Sequence, residues 1–467
     1  MAGMSGWRDG YRRWIERRRQ KVWRGEDVPK GDPKVIRGWV FYDWANSTYQ
    51  LTIASAIFPV YYNQVTRNGT DFTVHFFGIP IINTVLYSWA IAAAYLIVAL
   101  FSPLLSSIAD YTGWRKGFMK AFTWLGALSC GTLFFFDKAH LELGVIAFTL
   151  GTIGYGGSLV FYNSFLPVIA APEDQDRVSA RGYVMGYLGS VILLILNLVV
   201  VLEPGWFGIT DPLLPAKLAF LSVFLWWIGF SQITFVSLPM YTFGHRQKGL
   251  SVLFGGYREL RTVVRQLTRL RDLRLYLVGF FFITMGLLTV MFMAPTYGEK
   301  QLQVKAEILI ATILIIQIIG MLGAWLFARL SGRIGNIKAF ILSIAIWVLI
   351  CIIAYFIRNL AGFLVVAFLV GLVMGGSQSL ARSTYSKMLP PTEDHTSFFS
   401  FYDVCEKLAT VAGTFVFGLL EAVTGSMRNS VLAIVLFFGV GLGFMLVLLK
   451  RGAADARPAL RGRSAAA

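Results

Sequence analysis

Residues 41–50 read FYDWANSTYQ and lie just inside the first long apolar segment of the chain. Asp43, Asn46 and Gln50 follow i, i+3, i+7, so a helix stacks one carboxylate and two amides on a single face. An ionisable group within a membrane span is disfavoured unless it faces protein or water, and the stripe therefore reads as part of a functional site. A plainer alternative stands beside it. Asp43 is about a turn and a half past Arg37, where it would sit at the interface and cap the helix start. Asn46 and Gln50 continue the polar stripe inward and favour the functional reading.

The surroundings explain why a carboxylate there is unusual. The 467 residues are 56% hydrophobic, 15% aromatic and 14% charged, against about 25% charged in soluble domains. Most charge falls in gaps between apolar runs, the pattern of a polytopic membrane protein. Twelve segments are long enough to span the hydrocarbon, near 38–62, 84–109, 118–137, 141–166, 182–202, 217–240, 275–297, 306–328, 339–357, 361–386, 399–422 and 430–449. They must be helices, because no lipid-facing backbone group can go unpaired. The expected organisation is a basic N-tail (1–37), a six-helix bundle (38–240), an amphipathic linker (241–274), a second six-helix bundle (275–450) and a C-tail (451–467).

The formal charge of +17 concerns topology, not nucleic acid. Of the 42 Lys and Arg, 33 fall on the side of the tails and linker, seven on the other side and two within spans. That asymmetry places both termini in the cytoplasm and offers basic surfaces to anionic lipid. Trp7, Tyr11, Trp14, Ile15 and Val22 fit either a surface-lying helix or a disordered basic tail. In the linker, Leu253, Tyr257, Leu260, Val264 and Leu267 alternate with arginines as a second surface helix would. Cys130, Cys351 and Cys405 offer no disulfide framework, and the four histidines are scattered, so no metal site is expected. No G-x-x-x-x-G-K-[ST] loop is present for ATP, and no nucleophile–base pair converges, so neither a cofactor nor catalysis is expected.

The halves echo each other. SSIADYTGWRK (106–116) follows the second span and ARLSGRIGNIK (328–338) the eighth, with Gly113 matching Gly335, Lys116 matching Lys338, and Asp110 matching Gly332. Such duplication is typical of secondary transporters. Asp110-x-x-Gly113-x-Arg115-Lys116 resembles the loop signature of the major facilitator superfamily, with Ser106 in place of its leading glycine. FYDWANSTY (41–49), FYNSFLP (161–167), RVSARGYVMGYLG (177–189), QSLARS (378–383) and FFSFYDVCEK (398–407) resemble one branch, the vacuole-effluxer-like family related to a fungal autophagy-related vacuolar amino-acid effluxer. One departure is the seventh span, where that family often carries Asn-Asp-Gly and this chain has Thr284, Met285 and Gly286.

The resemblance implies a multi-pass carrier of a bacterial inner membrane, monomeric, with no nucleic-acid partner. Its first, fourth, seventh and tenth spans would line a central cavity. Those spans supply Asp43, Asn46 and Gln50, then Tyr155, Ser158, Tyr162 and Asn163, then Gln378 and Arg382. Arg382 would pair with Asp43 or a substrate carboxylate, or else mark the end of its helix. Asp403 and Lys407 at i, i+4, with Glu406, read as a structural pair or gate. Asp110, Arg115 and Lys116 read as an inter-helix latch, with Arg333 at the matching turn of the second half. Glycines 151, 154, 156 and 157, and 371, 375 and 376, are expected to interrupt the fourth and tenth spans, although close packing would select the same residues. The expectation is secondary transport of a small polar or zwitterionic solute, amino acids first, coupled to protons or another ion. A lipid flippase and a non-transporting receptor are the alternatives.

Overall fold

The computed structural model describes residues 30–66, 73–239, 250–304, 306–392, 394–424 and 426–452. The basic N-tail up to residue 29, His245 and the C-tail from residue 453 lie outside the described residues. Asp32 caps the first helix, its side chain accepting the Lys34 N–H at 2.8 Å, and Pro33 leads the helix because it has no N–H to satisfy. Helix α1 (Pro33–Thr48) passes through a π-helical stretch (Tyr49–Ile57) into α2 (Phe58–Thr66).

A short hairpin follows, β1 (Thr73–Phe76) against β2 (Ile79–Ile82), turning through Phe77 and Gly78 at positive φ. It falls between the first two expected spans. Thr73, Val74, Ile79, Ile81 and Ile82 supply the β-branched residues it needs.

The rest is helical. In the first half come α3 (Asn83–Thr112), α4 (Arg115–Thr132), α5 (Leu141–Asn163), α6 (Gln175–Leu202) and α7 (Leu214–Ser237). The linker is α8 (Leu250–Arg269). The second half holds α9 (Arg271–Leu302), α10 (Ala306–Ile334), α11 (Asn336–Phe356), α12 (Leu360–Met388), α13 (His395–Thr424) and α14 (Met427–Lys450). Several helices overrun the expected spans by a turn or more, because polar residues continue the backbone ladder beyond the hydrocarbon. Among the described residues, ten helices are long and apolar enough to cross a membrane. The run from Pro33 to Thr66 and α13 are not among them, and these two carry the carboxylates of the central cavity.

Within the first half α1 packs on α6 and α7, and α4 on α5; within the second α10 packs on α12, and α9 on α13 and α14. The halves meet where α6 lies along α10 and α12, and α13 along α3. Linker helix α8 rests on α3, but only part of its expected stripe faces protein. Leu267 packs against the core beside buried Val263, which lies outside that stripe, whereas Tyr257 and Val264 are exposed. Gly256 makes that contact with α3, since a side chain there would strike Ile108.

The glycines do not interrupt α5 or α12, which run unbroken. They bring helices together, and the clearest case is α6. A Cβ on Gly186 would lie 2.6 Å from Ser47 Oγ, and one on Gly189 would lie 2.6 Å from the Trp44 carbonyl oxygen. The departure from regular α-helix lies instead in Tyr49–Ile57, which contains neither glycine nor proline. There Ser55 Oγ donates to the Gln50 carbonyl at 2.8 Å. Gly439, by contrast, has open space where a Cβ would stand. Gly189→Ala should therefore cost about 1–3 kcal/mol through forced separation of α1 and α6. Gly439→Ala should be neutral or gain up to about 1 kcal/mol of helix propensity. Thermal melts of the two purified variants check this, and equal melting temperatures would contradict the packing account.

Candidate functional site

The residues of the 41–50 stripe divide. Asp43 and Gln50 line a central cavity of about 230 Å³ between the halves. Asn46 is fully buried outside that wall, and Ser47 takes the place on the cavity face expected for it. Asp43 does not cap the helix, a role held by Asp32. Its Oδ2 accepts the Tyr162 hydroxyl at 2.7 Å and both Nη atoms of Arg382 at 3.4 Å. The ion pair joins α1 to α12 across 339 residues of sequence.

Arg382 is 2% exposed and is held on every side. Nε donates to Ser179 Oγ at 2.9 Å, Nη2 to the Ser179 carbonyl at 2.8 Å, and Nη1 to Asn163 Oδ1 at 3.2 Å. Its guanidinium also lies 4.4 Å from the Tyr183 ring centroid and 4.8 Å from that of Trp39. Trp39 stacks on Tyr162 at 4.5 Å and donates to its carbonyl, fixing the phenol that serves Asp43. Gly182 leaves room for the pair, since a Cβ there would lie 2.3 Å from Asp43 Oδ2.

The other expected residues fall in three groups. Tyr155, Asn163 and Gln378 line the cavity, and Gln378 Oε1 accepts the Tyr187 hydroxyl at 2.8 Å across the halves. Ser158 does not reach the cavity; it is fully buried and donates to the Tyr155 carbonyl of its own helix. Asp403 and Lys407 form the i, i+4 ion pair at 2.8 Å, with Glu406 3.2 Å from the same ammonium, and all three line the cavity. Thr284 of α9 also lines it, whereas Met285, the position that the resemblance aligns with an aspartate, is buried outside that lining.

The cavity closes towards the linker. Asp110 accepts Arg115 at 2.9 Å and reaches across to the first turn of α13, where it accepts the Ser397 N–H at 2.7 Å and the Ser397 hydroxyl at 2.8 Å. A carboxylate on a helix N-terminus satisfies free N–H groups and opposes the helix dipole. Lys116 donates to the Leu238 carbonyl at 2.7 Å, tying α4 to the end of α7. Arg333 is not part of the matching network. It is exposed at the last turn of α10, and the cation there is Lys387, 2.8 Å from Asp176. Asp176 also accepts Asn336 at 2.6 Å and the Ser331 hydroxyl. Sequence reasoning passed over Asp176, Asn336, Ser179, Tyr183 and Tyr187. A usable signal existed for three of these, because Ser179, Tyr183 and Tyr187 follow i, i+4, i+8 and put three hydroxyls on one face of α6.

The family described as vacuole effluxer Atg22-like matches residues 31–457. The chain belongs to this family. It is 28% identical over 417 residues to the "Uncharacterized MFS-type transporter YxiO" of Bacillus subtilis, covering 88% of this chain and 93% of the relative. It is 23% identical to the autophagy-related protein 22 of Yarrowia lipolytica, covering 82% and 79% respectively. Among solved structures, the major facilitator transporter FucP in its outward conformation superposes with a TM-score of 0.66 at 14% identity, over 90% of this chain and 99% of that one. An outward-facing bacterial homologue of the iron transporter ferroportin gives 0.60 at 13% identity, over 90% and 99%. The protein is a multi-pass membrane transporter of the major facilitator superfamily.

One group at the closed end titrates near neutrality. Asp394 lies in the loop before α13, and burial, with Asp110 of α3 and Glu259 of α8 beside it, pushes its carboxyl up from 3.8 to about 7. Arg115, paired with Asp110, is also charged close by, while burial, with Arg115 and Lys30 near, lowers His395 to about 3 and leaves it neutral across this range. In the closed form Asp394 holds its proton to about pH 7, whereas a freed carboxyl ionises near its ordinary value of 3.8. Closure is thus favoured in acid and weakens as pH rises through that window. Spin labels at exposed Trp114 and Ile334 should report a growing open fraction from pH 4 to 7, and Asp394→Asn should flatten that dependence. An unaltered profile in the variant would exclude Asp394 as its source.

Proposed function

We propose that the protein is a secondary active transporter with twelve spans in two pseudo-symmetric six-helix bundles, 38–240 and 275–450. The halves rock about the central cavity and carry a small polar or zwitterionic solute, amino acids first, across the membrane. The observation that carries this reading is the buried Asp43–Arg382 pair, which bridges the two halves on the cavity wall. The cavity holds five charged side chains, which favours a polar solute over a lipid. Its volume of about 230 Å³ is below the roughly 300–1,000 Å³ of sites for drug-sized ligands. The family's description as an effluxer supports solute transport, the resemblance to a fungal vacuolar amino-acid effluxer puts amino acids first, and the basic excess on the linker side supports a cytoplasmic location for that side.

Proton coupling follows from the pair. A neutral Asp43 no longer attracts Arg382, so taking up one proton loosens a contact between halves, and losing it restores the contact. Asp43→Asn should retain solute binding but lose accumulation driven by a pH gradient, which for one coupled proton reaches about ten-fold per pH unit. Flux into proteoliposomes, with an amino acid selected by thermal-shift screening, measures this. Accumulation at the wild-type level in the variant would remove Asp43 from the coupling mechanism.

A further inference from the structure

Among the described residues lining the cavity, the charged side chains are Asp43, Arg382, Asp403, Glu406 and Lys407. Three carboxylates face two cations, which leaves one negative charge in excess inside a low-dielectric wall. The two poles also differ in what they can still bind. A guanidinium has five N–H donors, and those of Arg382 are directed at Ser179 Oγ, the Ser179 carbonyl, Asn163 and Asp43. That pole is saturated. At the other pole, Asp403 Oδ1 accepts Lys407, but Asp403 Oδ2 has no hydrogen-bond partner among the described residues, although Asp403 is only 5% exposed. Glu406, whose side chain is 33% exposed, stands one helical turn away.

We propose that Asp403 and Glu406 of α13 form a subsite for the ammonium group of the transported solute, with Asp403 Oδ2 as the principal acceptor. This assignment rests on the transporter reading above and names the charge that the cargo must carry. A ligand ammonium supplies the missing donor and balances the excess charge together. The walls suit an organic cation. Tyr95, Tyr155 and Tyr183 line the same cavity, and Lys407 Nζ already lies 5.8 Å from the Tyr95 ring centroid. The solute is therefore an amine or amino acid with an apolar body, and not a simple carboxylate.

Three probes sharing one body separate the possibilities: phenethylamine, L-phenylalanine and 3-phenylpropanoate, titrated calorimetrically into the full-length protein. The amine and the zwitterion should bind and the anion should not. Asp403→Asn should weaken amine binding about ten- to a hundred-fold, the range expected for losing a charged hydrogen bond. That variant keeps Glu406 as a partner for Lys407. Glu406→Gln, which leaves the Asp403–Lys407 pair intact, should weaken the amine less, and Arg333→Gln at the exposed end of α10 should leave it unchanged. Failure of the amine to bind, preference for the anion, or equal amine affinity in Asp403→Asn would overturn the subsite. So would release of one proton when the amine binds, detected from buffer-dependent heats, because a proton held by the free protein would then already balance the excess charge. Counterflow of labelled phenylalanine in proteoliposomes reads transport separately. Binding with the expected charge preference but without counterflow would refute the transporter reading and leave the subsite standing.

Discussion

A carboxylate and a guanidinium buried against each other between the two halves set the terms for the rest of the molecule. Neither Asp43 nor Arg382 could remain charged there alone, because desolvating an unpaired ion costs several kcal/mol. The surrounding residues answer that constraint. Tyr162 donates to the acid, Ser179 and Asn163 accept from the base, and Trp39 and Tyr183 place ring faces beside the cation. Gly182 keeps α6 from displacing the pair. The stretches around residues 41, 161, 177 and 378, separate in sequence, are thus parts of one polar cluster.

The linker-side closure uses the same chemistry with a different symmetry. Asp110 of the first half caps α13 of the second. The sequence repeat puts Gly332 opposite Asp110, so the second half cannot return the favour with an acid of its own. Asp176, again from the first half, fills that gap against Ser331, Asn336 and Lys387. Both closures therefore present first-half acids to second-half donors, so the sequence match between 106–116 and 328–338 does not extend to the charges. On the cavity wall α9 supplies no acid among the described residues, while α1 supplies Asp43 and α13 supplies Asp403 and Glu406.

Much of this was legible in the sequence, and the misses have physical causes. Helices were legible because bilayer thickness imposes a length and apolarity that no other element shares. Asp43 and Arg382 stood out because charge within a span demands a partner. Helical phase was less secure: Asn46 and Ser47 lie on either side of the Asp43 direction, and only packing decides which one meets the cavity. Arg333 and Lys387 posed a similar choice, since long side chains at helix ends can point to solvent or inward. The glycines of α5 and α12 were ambiguous by nature, because a hinge and a close contact select the same residue. The π-helical stretch left no compositional mark, as YQLTIASAI reads like ordinary apolar helix.

The charge inventory links the proposed coupling to the proposed cargo. When Asp43 is neutralised, Arg382 loses its ionic partner while keeping Ser179 and Asn163. Its cation then becomes the electrostatic complement of a carboxylate at one end of the cavity, while Asp403 and Glu406 remain the complement of an ammonium at the other. A zwitterion satisfies both poles, whereas a simple amine satisfies one. Protonation of Asp43 and full engagement of an amino acid are on this account the same event, and discharge of the proton returns Arg382 to Asp43 and expels the carboxylate. Coupling in this protein then needs no second acid in α9, because the competition for Arg382 links proton to solute by itself.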